Sequence, residues 1–161
     1  MFVPLDEMPA SSRVWVFMCD REWLESEIEL IRFAVRPFLD DWTAHQKALR
    51  SSYAIVYNRF LVLAVDEQFS SASGCSIDKS VNFIKSLELQ LNCHLMNRML
   101  FAYKKDDQVL VANKEEFERL SENGVITDDT IVFDNLVDSI HALNHRWEIP
   151  FERSWHKVLV G

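Results

Sequence analysis

Two strand-like runs, SSYAIVY and FLVLAVDE, lie within residues 50–67 with only the dipeptide Asn58-Arg59 between them. Both are rich in β-branched and aromatic residues, and Asn tolerates the positive φ of a tight turn, so the spacing predicts an antiparallel hairpin. A two-residue turn sets Asp66 opposite Ser51 and Glu67 opposite Arg50. The second pairing gives Glu67 a cross-strand ion-pair partner.

The flanking segments extend this nucleus in a definite order. RVWVFMC, residues 13–19, reads as a strand buried on both faces and central to the core. Ser26 followed by Glu29 is a capping-box pattern, and Ile28, Ile31, Val35, Phe38, Leu39 and Trp42 recur at helical spacing, with Pro37 expected to kink the helix. After the hairpin, a polar loop at 68–74 leads to a second helix with the stripe Ile77, Val81, Ile84, Leu87 and Leu91. Residues 97–103 and 108–112 then predict another hairpin, 114–123 a helix closed by Gly124, 130–133 a strand, and 135–147 a last helix stopped before Pro150. Strand, helix, hairpin, helix, strand is the order of a ferredoxin-like split βαβ unit, an antiparallel α+β sheet with helices on one face. We expect that core over residues 1–103 and a C-terminal hairpin-helix-strand-helix extension over 104–161 of the same domain, a separate lobe being the alternative.

Composition bounds the function. With 161 residues, 48% apolar and only three glycines, the chain can bury a core as one domain without disulfides or metal. A net charge of −8 opposes a phosphate backbone, so nucleic acid is not an expected partner. Cys19, Cys75 and Cys93 are odd in number and lack CxxC spacing, which points away from a disulfide framework or zinc ribbon and toward a reducing cytoplasm. The first ten residues have no basic start or apolar run, so no signal peptide is expected; the longest apolar stretch, residues 60–65, is far short of the ~20 residues that span a membrane. Neither membrane nor cofactor is expected.

Four strings carry a resemblance: Trp42-Thr43-Ala44-His45, Val65-Asp66-Glu67, Ser73-Gly74-Cys75-Ser76-Ile77-Asp78 and Ser154-Trp155-His156. Together they resemble a family of small uncharacterised bacterial proteins often labelled "ABC transporter ATPase". Members commonly carry Gly after the motif His, where this chain has Gln46. The label itself fails on chemistry, because a phosphate-cradling loop needs G-x-x-x-x-G-K-[ST], and Gly74, Gly124 and Gly161 bracket no such lysine. Residues 101–135 are also similar to the helix-Gly-strand portion of GYF-like peptide-binding modules, without their defining aromatic segment.

The split βαβ order gathers His45, Asp66, Glu67 and Cys75 at one end of the sheet. Cys75 is expected just ahead of the second helix, where free N–H groups and the helix dipole favour an anion, so His45 as base with Asp66 orienting it completes a nucleophile-base-orienter set. The competing reading makes Cys75 a small buried residue, with Ser73 or Ser76 capping the helix. Trp42, Glu67, Ser73, Gly74, Ser76 and Asp78 form the ligand-contacting set of this edge, suited to a carboxylate or a single phosphate. Asp134, Asp138, His141 and His145 share a helical spacing, but this is where any amphipathic helix puts its polar stripe, and no metal is expected. Two functions follow: a module binding a small ligand or protein at this edge, or a thiol-dependent enzyme using Cys75.

Overall fold

The computed structural model describes residues 1–160. It is an α+β fold with the order β1 (Arg13–Met18), α1 (Glu25–Asp41), β2 (Thr43–Ala44), β3 (Lys47–Ala48), β4 (Ser51–Val56), β5 (Phe60–Val65), α2 (Gly74–Leu91), β6 (Leu100–Lys105), β7 (Gln108–Asn113), α3 (Lys114–Glu122), β8 (Ile131–Phe133), α4 (Ile140–Arg146), β9 (Glu148–Pro150) and α5 (Trp155–Val160). The strands form a three-stranded sheet β1-β5-β4, the small ribbon β2-β3, and a four-stranded sheet β7-β6-β8-β9. Every strand pair in them is antiparallel.

The β4–β5 hairpin forms, with a register one residue away from expectation. Its turn has three residues, because Tyr57 and Asn58 both adopt φ of 53° and Arg59 N–H closes on the Val56 carbonyl at 3.2 Å. Val65 therefore stands opposite Ser51, and Asp66 takes the place opposite Arg50 that a two-residue turn would have given Glu67. The Asp66 N–H donates to the Arg50 carbonyl at 2.9 Å, and their side chains pair at 3.7 Å. The ion pair exists, but with the other carboxylate.

β5 is the central strand, and all six of its residues are buried. Leu61, Leu63 and Val65 face Ile31, Val35 and Leu39 of α1 and Ile84 and Leu87 of α2, while Val62 and Ala64 face Met8, Val14 and Ile140 on the other side. A strand covered on both faces has no need of alternation, which explains the unbroken FLVLAV run. Each of the larger side chains contributes about 1.5–3 kcal/mol by leaving water. β1, expected at the centre, is instead an edge: it pairs only with β5, apart from one bridge between Arg13 and Ser139.

α1 buries Ile28, Ile31, Val35 and Leu39 of its stripe, whereas at the start of α2 Ser76 and Ser80 are buried and the expected Ile77 and Val81 are only half-buried. α1 starts at Glu25, ahead of Ser26, and its capping contact is the Glu27 carboxylate accepting from Leu24 N–H at 2.9 Å. It continues through Pro37 to Asp41. Arg21 then ties α1 to α2, pairing with Glu27 at 2.7 Å and donating to the Leu91 carbonyl at 2.6 Å. The expected helix over 135–147 shrinks to α4, because Ser139 caps it by accepting from Ala142 N–H.

β6 lies in the second sheet, between β7 and β8. One face of that sheet, with Phe101, Tyr103 and Val132, packs on Phe117 of α3 and on Phe151. Its other face, with Ala102 and Phe133, meets Met18 and Phe60 of the first sheet and Trp147. A polar clasp reinforces this junction: the Tyr57 hydroxyl donates to Glu148 at 2.9 Å, and Lys104 pairs with Glu148 while lying 4.8 Å above the Tyr57 ring. Its charged form is favoured first by the Glu148 hydrogen bond, which raises the Lys104 pKa.

Candidate functional site

β2-β3 leads into the start of β4 opposite the end of β5, where the end of α1 meets the first turn of α2. Most of the residues singled out from the sequence hold the fold together. Trp42 is fully buried and its Nε1–H donates to the Ser76 carbonyl at 2.8 Å, fastening the end of α1 to the first turn of α2. Ser73 caps α2, accepting from Ser76 N–H at 3.1 Å while the Ser76 hydroxyl accepts from Ser73 N–H at 2.6 Å. Asp66 accepts from Gln68 N–H, and Glu67 accepts from Ala72 N–H at 3.1 Å, so both carboxylates shape the loop.

The catalytic set is not assembled. α2 begins at Gly74, one residue before Cys75, which is exposed on the first turn, unlike the buried Cys19 and Cys93. His45 and Asp78 are exposed too. Among the described residues, His45 makes no side-chain hydrogen bond with Asp66 or Cys75. It sits instead in the β2–β3 turn, with φ of 51° at His45 and 67° at Gln46. Gln46 thus adopts a left-handed conformation at a steric cost that glycine avoids.

A different feature has the dimensions of a ligand site. A cleft of about 520 Å³ lies along the outer edge of β1, walled by α2 on one side, residues 133–138 on the other, and β6 and α5 across from it. Its volume lies in the range of small-molecule and peptide sites. Apolar side chains dominate, among them Val16, Ile77, Val81, Leu95, Leu136 and Val137. Polar groups are few: Ser80, Asn97, Asn135, the guanidinium groups of Arg13 and Arg98, the Asp138 carboxylate and His156. A depression of about 780 Å³ over α1 is larger, but it is an open surface around the exposed Phe33.

His156 is the most constrained of these polar groups. It is 1% exposed, lies against Phe101, Phe117 and Trp155, and its Nδ1 is 2.5 Å from Ser154 Oγ. Ser154 Oγ also accepts from His156 N–H at 3.3 Å. Burial pushes its pKa down to about 4, against a smaller opposing pull from Asp134, whose carboxylate accepts from Trp155 Nε1–H at 3.0 Å. At neutral pH it is an uncharged ring.

Two metal arrangements can be weighed. Asp134 and Asp138 precede α4, so only His141 and His145 share that helix, and the His145 ring is bonded to the His141 carbonyl. Cys19, Asp20 and Cys93 bring ligand atoms within 4.8 Å of one another. Burial pushes the Cys19 thiol up to about 12, so it is protonated at neutral pH, and the Asp20 carboxylate already accepts from His94 N–H.

Sequence reasoning missed the cleft because its lining comes from five separated segments. The one signal was the Ser154-Trp155-His156 string, whose serine and histidine form the bonded pair beside it. Fold and cleft together define an α+β protein with a ligand-sized groove between two antiparallel sheets. No protein-family model, curated protein or solved structure matches the chain.

Proposed function

We propose that the protein is a binding module for a small ligand or a protein partner, with its recognition surface at the cleft between β1, α2 and β6. The observation that carries this reading is a partly enclosed apolar groove with a few converging polar groups, the ordinary constitution of a recognition site. The end of the sheet around residues 73–78 is the alternative location, but its serines, carboxylates and Trp42 are engaged in internal bonds. Thiol chemistry at Cys75 is supported by the exposure of that thiol, and lacks a base hydrogen-bonded to it.

The first sheet with α1 and α2 fits a ferredoxin-like split βαβ unit whose fourth strand has been given to the second sheet, the C-terminal segment covering the open face. We assign the chain, on its four strings, to the small bacterial proteins that it resembles, without the ATPase activity of their label. Three free thiols support a cytoplasmic setting, and no described helix is long and apolar enough to cross a membrane.

Screening a library of small aromatic and aliphatic fragments by amide NMR tests the location. Shift changes should cluster at Val81, Leu95 and Leu136, and Val81→Trp, which fills the groove, should weaken the best fragment about tenfold, a loss of about 1.4 kcal/mol. Fragments that gather instead around residues 73–78, or bind Val81→Trp unchanged, would overturn the assignment of the cleft.

A further inference from the structure

The open edge of β1 identifies what the cleft is built to take, an inference that rests on the cleft being the recognition surface. In an antiparallel pair the backbone groups of successive residues point alternately toward and away from the partner strand. Cys19 N–H donates to the Arg59 carbonyl at 2.7 Å, which fixes Arg13, Trp15 and Phe17 as the residues bonded to β5. Val14, Val16 and Met18 turn the other way.

Val14 N–H finds the Asp138 carbonyl at 3.0 Å, and Ile140 N–H donates to the Ser12 carbonyl at 3.0 Å. This is the start of a ladder that the chain does not continue. Upstream of Asp138 the backbone turns away, with Val137 N–H on the Asp134 carbonyl and Leu136 N–H on the Asp134 carboxylate. The outward N–H and C=O groups of Val16 and Met18 therefore have no strand partner among the described residues, and they border the cleft. Unpaired edge groups are a template for another strand, and proteins usually blunt them with charge, proline or a bulge. Here they are flanked by apolar walls.

We propose that the cleft takes up an extended segment of a partner protein as an added strand on β1. Main-chain bonds to Val16 and Met18 would supply affinity, and the walls would supply selectivity. Side chains of a strand point alternately to opposite faces, so one set meets Ile77 and Val81 of α2 and the other meets Leu136 and Val137. Both walls are apolar, which selects apolar residues in the middle of the segment. Arg13 and Arg98 border the cleft and have no ion-pair partner among the described residues, against the single Asp138 carboxylate. In a chain of net charge −8, that local excess selects Asp or Glu at the ends of the segment.

The test uses the full chain and a displayed library of random nine-residue linear peptides. Enriched peptides should have an apolar centre with acidic ends. Synthetic copies methylated at backbone nitrogens along one edge should lose about tenfold or more in affinity, and copies methylated along the other edge should lose less than about twofold, since only one edge meets β1. Val16→Pro removes an N–H that the sheet does not use, a position where edge strands tolerate proline; it should weaken the peptide about tenfold in a variant that circular dichroism shows to be folded. Peptides indifferent to methylation on either edge, no enriched peptide, or full binding by folded Val16→Pro would overturn the proposal. Should Val16→Pro fail to fold, the methylated peptides decide with the unaltered protein. Fragments that bind the cleft while peptides do not would end strand addition and leave the cleft as the recognition surface.

Discussion

Phe60→Ala is expected to destabilise the protein by about 3–5 kcal/mol, the range for truncating a fully buried aromatic residue. Phe60 is completely buried at the first position of β5, and its ring lies 5.0 Å from Phe133 and 4.8 Å from Trp147. Those partners come from β8 and from the end of α4, so the void would open between the two sheets rather than within one. Neighbouring aromatic rings on a rigid backbone cannot collapse into it fully. Urea denaturation followed by circular dichroism measures the loss. A decrease below about 1 kcal/mol would show that the sheets do not share a core at Phe60.

The second large effect is a loss of stability in mild acid. His156 is neutral in the folded protein, with a pKa of about 4, against 6.5 for an ordinary histidine. Between those values the unfolded chain binds the proton and the folded chain does not, so stability falls as pH drops from about 6.5 to 4 and this contribution levels off below 4. The total is on the order of 3 kcal/mol. The groups in contact with the ring are Ser154, Phe101, Phe117 and Trp155, and Asp134 opposes the shift only weakly. Glu27 acts in a lower window: Arg21 holds its pKa down to about 2, so its contribution is present above 4.5 and is lost toward pH 2. Denaturation curves at intervals from pH 7 to 4 should show the slope in the wild type and lack it in His156→Phe. An equal slope in both would assign the acid sensitivity elsewhere.

Local structure was legible wherever a short-range rule decided it. The Ile84, Leu87 and Leu91 part of the α2 stripe and the left-handed Gly124 after α3 rest on interactions within a few residues. The β4–β5 register depended on one residue of turn length, and Tyr57 adopting a left-handed conformation moved every cross-strand pair. What the sequence could not supply was which strand lies at the edge. RVWVFM and FLVLAV each carry two valines beside aromatic and other apolar residues, and only tertiary pairing makes the second central and the first open on one side. The expected site and the cleft diverge for the same reason. The end of the sheet near His45 follows from chain order, whereas the cleft follows from β6 pairing with β7 and β8 rather than with β1.

β1 carries an open edge that borders the cleft. Native-state amide hydrogen exchange on the free protein, read residue by residue by NMR, tests it most directly. Trp15 and Phe17, bonded to β5, should exchange slowly, while Val16 and Met18, which alternate with them, should exchange faster by at least about a hundredfold, since exposed strand amides open at little free-energy cost. Slow exchange at all four residues would mean that the edge is already covered, and would contradict the account.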